Sequence, residues 1–147
     1  MTSRVVLDSN VFSKLFLQEK DRRQAVDLII ELGNRDIEIL APSLFLYEVL
    51  SVAAYSNFST QSAYELLLQQ QKVNLKLVEI DRDIIQTAIA ITAQGHPNSG
   101  YPSFYDSAYH ALAIQNECQF ITADKKHMIK AEKFGYITLL QDWKTLF

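Results

Sequence analysis

Four acidic residues are distinctive because each lies beside or within an apolar stretch of the chain: Asp8, Glu48, Asp106 and Asp124. A carboxylate next to a hydrophobic core is costly to remove from water unless a positive partner meets it. If the fold brings the four acids together, their mutual repulsion requires a cation, and hard oxygen ligands suit Mg²⁺ or Mn²⁺. Divalent ions stabilise the charge that develops during phosphodiester hydrolysis. The sequence therefore predicts a metal-dependent nuclease.

The apolar periodicity predicts five strands that alternate with helices. The predicted strands cover residues 4–7, 37–40, 75–80, 118–122 and 136–139. The predicted helices cover residues 11–17, 21–32, 44–55, about 60–71, a segment that begins at Asp81, 103–116 and 125–134, and residues 95–102 form a loop. This alternation is typical of an α/β fold, here a three-layer α/β/α sandwich with a mostly parallel central sheet.

The predicted order of elements makes it plausible that the acids converge. Asp8 and Asp124 each follow a strand, and ligands of open parallel sheets bind outside the carboxyl ends of the strands. These two acids lie side by side if strands 4–7 and 118–122 are neighbours. Asp106 is near the start of a helix, and a helix that returns along the sheet begins at that same edge. The helix that carries Glu48 enters from strand 37–40 in the same way.

Each acid also has a purely structural interpretation. Asp8 and Asp124 are at positions where a side chain caps a following helix. Asp106, three residues after Ser103, suits a capping box or a helix-dipole contact. Glu48 is the hardest to explain in this way, because it is in mid-helix on a segment that the pattern predicts to be mostly buried.

Length and composition limit the class of protein. The 147 residues suit a single domain over 1–147. No apolar run approaches the roughly 20 residues of a membrane span, and the N-terminal apolar stretch is too short for a signal peptide, so a cytoplasmic location is expected. A single cysteine, Cys118, excludes an internal disulfide framework and a cysteine-based zinc cluster.

The net charge of −3 argues against a general nucleic-acid coat protein. It does not argue against a nuclease, because a bound metal neutralises its ligand acids. Basic residues remain in two groups: Lys20, Arg22 and Arg23, and then Lys125, Lys126, His127 and Lys130. Both groups are either solvated helix faces or substrate contacts.

The four acids lie in the segments VVLDSNVF at 5–12, PSLFLYEVLSV at 42–52, SFYDSAYHALAI at 103–114 and FITADKK at 120–126. These segments resemble the four motif regions of PIN-domain proteins, with VapC-type toxins as the closest likeness. The resemblance extends over nearly the whole chain in order and spacing. It implies a parallel sheet flanked by helices and an Mg²⁺- or Mn²⁺-dependent endoribonuclease. It also implies a homodimer and a partner antitoxin.

The same resemblance implies roles for individual residues. Asp8, Glu48 and Asp106 match the three acids of the family's metal site, and Asp124 matches a fourth acid that assists through water. Polar supporting positions are matched by Asn10, Thr122 and, more loosely, Ser9. The loop at 95–102 is longer than in the shortest family members, and a wider groove or substrate recognition are both open roles for it.

Several nearby side chains have less certain roles. Lys125, Lys126 and Tyr105 are candidate RNA contacts, since basic and aromatic groups bind phosphates and bases. Tyr109 is expected in the core. We expect His110 to be partly exposed, although it shares a helix face with Asp106 and is also a candidate general base.

Four other functions are alternatives to the ribonuclease toxin. A PIN-like binding module or an RNA-processing nuclease without an antitoxin remains open. A phospho-acceptor receiver domain requires paired acids after the first strand, where this chain has Asp8-Ser9-Asn10. A phosphatase of the haloacid type requires Asp-x-Asp, which Asn10 does not provide.

Overall fold

The computed structural model describes residues 3–95, 97–98 and 100–147, and these contain one parallel sheet of five strands. The predicted loop at 95–102 therefore lies partly outside the described residues. The strands are β1 (Arg4–Leu7), β2 (Glu38–Pro42), β3 (Leu75–Val78), β4 (Gln119–Thr122) and β5 (Ile137–Leu139). Their order in the sheet is β3-β2-β1-β4-β5, and every neighbouring pair is parallel. The predicted parallel α/β/α architecture is confirmed.

Helices connect the strands. They are α1 (Ser9–Ser13), α2 (Arg22–Asn34), α3 (Leu44–Tyr55), α4 (Thr60–Val73), α5 (Arg82–Thr92), α6 (Phe104–Gln115) and α7 (Lys125–Ala131), with 3₁₀ turns at Glu132–Phe134 and Leu140–Leu146. Polar side chains begin several of them: the Oγ atoms of Ser59 and Ser103 and a carboxylate oxygen of Asp81 each accept a hydrogen bond from a main-chain N–H of the first turn.

Several predicted bounds differ from the structure by one or more residues, and three of the differences have a local cause. The first helix covers Ser9–Ser13 rather than 11–17, because Asp8 caps it and the chain turns after Ser13. The third strand ends at Val78, not at 80, since Asp81 already caps α5. The helix predicted at 125–134 ends at Ala131 and continues as a 3₁₀ turn.

The centre of the sheet is fully apolar. Val5, Val6 and Leu7 of β1 have no exposed surface, as a central parallel strand with helices on both faces requires. Cys118 and Trp143 also belong to this core. Among the described residues, no helix is long and apolar enough to cross a membrane.

The strand order places a topological switch point between β1 and β4. From β1 the chain moves outward to β2 and β3, and it then crosses back to β4 and β5 on the other side. Right-handed crossovers in opposite directions put their helices on opposite faces of the sheet, so the loops that follow β1 and β4 diverge. A crevice opens at the carboxyl ends of these two strands, which is where open α/β sheets bind their ligands.

Candidate active site

Asp8 occupies the switch point itself. Its main-chain N–H donates to the carbonyl of Ile121 on β4 over 3.0 Å, and its side chain is buried. The hydroxyl of Thr122 donates to Asp8 Oδ2 over 2.7 Å, and the N–H of Asn10 donates to Oδ1 over 3.2 Å. Asp8 therefore caps α1 and at the same time presents a buried carboxylate between β1 and β4.

Glu48 reaches this crevice from α3 and is only partly buried. The Ser9 hydroxyl lies between the two acids, 3.1 Å from Glu48 Oε1 and 3.5 Å from Asp8 Oδ1. The hydroxyl of Tyr109, on α6, donates to the same Glu48 oxygen over 2.6 Å. Glu48 is thus fixed by side chains from two other helices, α1 and α6.

Tyr109 combines packing with polar support. Its ring is buried and stacks on Phe120 with centroids 5.8 Å apart, so its predicted place in the core is confirmed. Burial and the charge of Glu48 raise the pKa of the phenol, and the hydroxyl stays protonated as a donor. The prediction missed the bond to Glu48. The available signal was the spacing of Asp106 and Tyr109, three residues apart and so on one face of α6.

Asp124 lies opposite Asp8 at the end of β4. Its Oδ1 accepts hydrogen bonds from the main-chain N–H groups of Lys126 (2.9 Å) and His127 (3.1 Å). These two bonds cap the start of α7. The Thr122 hydroxyl that donates to Asp8 also accepts from the N–H of Asp124 over 3.0 Å. The Asp124 side chain therefore caps α7 and also belongs to the group of four acids.

A further hydrogen bond joins the loops that follow β1 and β4: Asn10 Oδ1 accepts from the N–H of Ala123 over 3.2 Å.

Asp106 is in the first turn of α6, where its N–H donates to Ser103 Oγ over 3.1 Å. The predicted supporting residues Asn10, Thr122 and Ser9 all contact the loops or the acids at this edge. Lys125, Lys126 and Tyr105 are exposed beside it.

Repulsion from neighbouring acids acts on two of the four carboxyls, Asp8 and Asp106. Burial, followed by repulsion from Asp106, raises the pKa of Asp8 to about 7, although the bonds from Thr122 and Asn10 act in the opposite direction. Burial, followed by repulsion from Asp124, raises the pKa of Asp106 to about 6. Glu48 contributes to both shifts. Each of the four acids therefore lies within electrostatic range of at least one other acid of the set.

The chemistry of this donor set fits a hard divalent cation. The ion pairs among the described residues involve none of the four acids, so no Lys or Arg side chain neutralises them. Carboxylates, hydroxyls and an amide are oxygen donors of the kind that Mg²⁺ and Mn²⁺ prefer. In the described part of the chain, no three Asp, Glu, His or Cys side chains are arranged as a ligand set that could hold a metal ion.

His110 and His127 differ from the prediction. Both are buried, whereas His110 was expected to be partly exposed and His127 was as readily placed on a solvated face. His110 does not bond to Asp106. Its Nε2 lies 2.6 Å from the carbonyl oxygen of Gly135, and its Nδ1 lies 3.3 Å from Nε2 of His127. The ring pair joins α6, which carries Asp106, to α7, which Asp124 caps.

The partners of this pair determine its tautomers. A carbonyl only accepts, so His110 Nε2 carries a proton, and in the neutral ring Nδ1 is then the acceptor. His127 Nε2 must therefore donate to it, which leaves His127 Nδ1 unprotonated and without a hydrogen-bond partner among the described residues. Burial lowers the pKa of both rings, that of His127 to about 4 with a further contribution from His110.

The fold and the acids define an α/β/α sandwich with a carboxylate site at the switch point of its sheet. The family model of the PIN domain matches residues 5–133. This chain belongs to the PIN-domain family. Comparison with curated proteins gives no significant match.

Solved structures share this fold at low sequence identity. A chain of a toxin–antitoxin complex from Klebsiella pneumoniae superposes with a TM-score of 0.66 at 15% identity, over 92% of this chain and 97% of that one. VapC20 of Mycobacterium tuberculosis, a toxin that cleaves the sarcin–ricin loop, gives 0.64 at 12% identity, over 90% and 95%. FitAcB of Neisseria gonorrhoeae gives 0.67 at 16% identity, over 95% and 98%.

The buried histidine pair predicts a loss of stability in acid. Because the folded-state pKa of His127 is about 4 and its ordinary value is 6.5, the unfolded chain binds more protons between these limits, and stability falls as the pH drops through them. His127→Gln retains a donor to His110 and should remove about 2 kcal/mol of the loss between pH 7 and pH 5. Urea unfolding at a series of pH values measures it.

Phe134→Leu is the matched control, since Phe134 packs against the His110 ring and does not titrate. It should lower stability equally at every pH. If His127→Gln shows the same pH dependence as the parent, the buried pair is not the source of the acid sensitivity.

The raised pKa of Asp106 predicts the opposite trend for the acids. The folded state binds the extra proton between the ordinary pKa of 3.8 and about 6, so this carboxyl lowers stability as the pH rises through that range. Asp106→Asn should therefore raise the free energy of unfolding of the metal-free protein by about 1–2 kcal/mol at pH 8, and by little at pH 4. Asp83→Asn is the control, because Asp83 is also in the first turn of a helix and is not among the causes of the pKa shifts of Asp8 and Asp106. A variant less stable than the parent at pH 8 would refute the repulsion.

Proposed function

We propose that this protein is a metal-dependent endoribonuclease of the VapC type, the toxin of a toxin–antitoxin pair. The observation that carries the proposal is the Ser9 hydroxyl, which lies between the carboxylates of Asp8 and Glu48 at the switch point. At the same place Asp106 raises the pKa of Asp8, and Asp124 raises the pKa of Asp106. This arrangement gathers acids from four separate segments of the chain without a cationic side chain. Membership of the PIN-domain family supports the assignment.

In this proposal Asp8, Glu48 and Asp106 hold Mg²⁺ or Mn²⁺, and Asp124 assists through water. When bound, the metal supplies the positive charge that stabilises a phosphodiester under attack. The remaining side chains hold the carboxylates in place. Thr122 orients Asp8 and the loop of Asp124, while Ser9 and Tyr109 orient Glu48. Outer partners of this kind commonly change metal affinity or activity by about 10–100-fold.

RNA is the proposed substrate, with Lys125, Lys126 and Tyr105 as contacts to it. These side chains are exposed and adjoin Asp124 and Asp106 along the chain. VapC20, which shares this fold, is a toxin that cleaves the sarcin–ricin loop, and another chain of the same fold comes from a toxin–antitoxin complex. An antitoxin partner, a homodimer, a cytoplasmic location and a single nuclease domain over 1–147 are parts of the same proposal.

Two related functions compete with this one. A PIN-domain nuclease of RNA processing would have the same site and no antitoxin. A binding module without catalysis would not need the acids, and their burial makes them costly to retain. The buried, uncompensated carboxylate of Asp8 therefore favours a nuclease over a binding module.

RNA cleavage with purified protein tests the chemistry. The parent should cut single-stranded or structured RNA with Mg²⁺ or Mn²⁺ and stop with a chelator. Asp8→Asn should reduce the rate by at least about a hundredfold, because it removes a metal ligand, and Tyr109→Phe by about tenfold, because Glu48 loses its donor. Tyr109→Phe retains the ring, so its circular dichroism and melting should stay close to those of the parent.

Asp142→Asn is the control for both variants, since Asp142 lies in the C-terminal 3₁₀ turn and belongs to no part of the site. Mg²⁺ should also raise the melting temperature of the parent and not that of Asp8→Asn, which reports metal binding without activity. Equal cleavage by the parent and Asp8→Asn would show that the acids are not the catalytic site.

Expression in growing cells tests the toxin assignment. Induction of the parent should arrest growth, because uncontrolled RNA cleavage stops translation, and induction of Asp8→Asn at the same level should not. Co-expression of the neighbouring small reading frame should restore growth if it encodes the antitoxin. Normal growth at high expression, with cleavage retained in vitro, would favour the RNA-processing alternative.

A further inference from the structure

A half-open cleft of about 500 Å³ adjoins the acid cluster on one side. Ala123 and Lys125, which precede and follow Asp124, form part of its wall. Leu139 and Leu140, at the carboxyl end of β5, form another part. The cleft thus opens at the same edge of the sheet as the acids, on the β5 side of the switch point. Its volume is within the range of sites that hold small molecules.

The wall opposite β5 is the segment between α1 and α2, and ion pairs hold it in place. Lys14 is buried, and its Nζ lies 2.9 Å from Asp21 Oδ1 and 3.3 Å from Glu19 Oε1. The side chain of Arg22 donates to the carbonyl of Leu15, with its shorter contact at 3.0 Å. Lys14 therefore offsets one of the two negative charges of this wall and holds both acids in place.

Four other polar side chains that line the cleft are uncommitted. Lys20 and Lys125 are exposed and take part in none of the ion pairs or side-chain hydrogen bonds of the described residues. Gln24 and Gln141 also line the cleft, and their amide groups are not bonded within the described residues. The cleft thus offers two cations and two groups that each donate and accept hydrogen bonds.

The apolar part of the lining completes this set. Ala123, Leu139 and Leu140 add apolar surface to the lining, most of it from the partly exposed Ala123 and Leu139 because Leu140 is buried. A nucleotide needs all three features: a cation for its phosphate, amides for the edge of its base and an apolar contact for the face. An acidic peptide would need the cations alone.

We propose that this cleft binds one nucleotide of the RNA strand next to the bond that is cut, with Lys20 on a phosphate and Gln24 and Gln141 on the base. The inference rests on the proposed ribonuclease function and adds a site that selects the sequence. The phosphate contacts set affinity without sequence preference, whereas the amide contacts distinguish bases. Sequence preference at one position beside the cut is therefore assigned to the two glutamines.

Equilibrium binding of a fluorescent single-stranded RNA tests the cleft. It is measured in the Asp106→Asn background, which binds without cutting, at several salt concentrations. Lys20→Ala should weaken binding by about threefold to tenfold and reduce the slope of log affinity against log salt by about 0.7, as the loss of one phosphate contact requires. Gln141→Ala should weaken binding by about fivefold for the preferred base only, and should leave the salt slope unchanged.

A second cleft, at the amino-terminal edge of the sheet, provides matched controls. It also contains a glutamine and a lysine, Gln71 and Lys76, both exposed. Lys76→Ala and Gln71→Ala change charge and amide content equally, and neither should alter affinity or salt slope. If the Lys20 and Gln141 variants behave like these controls, the cleft does not bind a nucleotide.

The results also separate this inference from the proposed function. If the parent cuts RNA and Asp8→Asn does not, while Lys20→Ala and Gln141→Ala bind RNA normally, the nuclease stands and the nucleotide cleft is refuted. If the cleft variants lose RNA binding but the parent cuts no RNA, the cleft stands and the nuclease is refuted. If Lys20→Ala loses binding of a poly-glutamate peptide while its RNA binding is unchanged, the cleft binds an acidic peptide and the nucleotide proposal is refuted.

Discussion

The burial of Asp8 between β1 and β4 is the constraint on which the rest of this edge depends. The main-chain bond from Asp8 to Ile121 fixes the backbone of Asp8 at the centre of the sheet, and the bonds from Thr122 and Asn10 hold its carboxylate there. Its pKa of about 7 shows that burial and its acidic neighbours outweigh the hydrogen bonds that favour its charge. The surrounding polar side chains are best understood as the response to this buried charge.

Capping bonds provide part of that response. Asp8 accepts from the N–H of Asn10, and Asp124 accepts from the N–H groups that begin α7. Hydrogen bonds to a carboxylate favour its charged form, so they offset some of the repulsion in the cluster. Thr122 adds a bond to each side, as a donor to Asp8 and an acceptor from the Asp124 N–H. The hydrogen bonds that cap α1 and α7 therefore also hold the carboxylates of Asp8 and Asp124 in place.

Much of this could be predicted from the sequence, because β-branched runs, cap residues and strand-end acids are local signals. The sheet, its parallel pairing and the supporting residues followed from them. The environment of α6 could not be predicted, since residues from Ser107 to Ala113 are all buried between the sheet and α5, and a helix was assumed to keep one polar face. His110 was misplaced for that reason, and its partner His127 lies on another helix, at a separation that no local pattern encodes.

The capping role alone does not explain why these positions are acidic. Asparagine is about as good an N-cap as aspartate, and it carries no charge to bury. At positions 8 and 124, Asn would begin the same helices without repulsion between neighbours. The chain instead keeps carboxylates at both positions and adds Glu48, which caps no helix, within reach of the Ser9 hydroxyl. Amide side chains would cap these helices at a lower free-energy cost than buried carboxylates. Capping therefore does not account for the negative charge at this edge of the sheet, whereas binding of a positively charged ligand does.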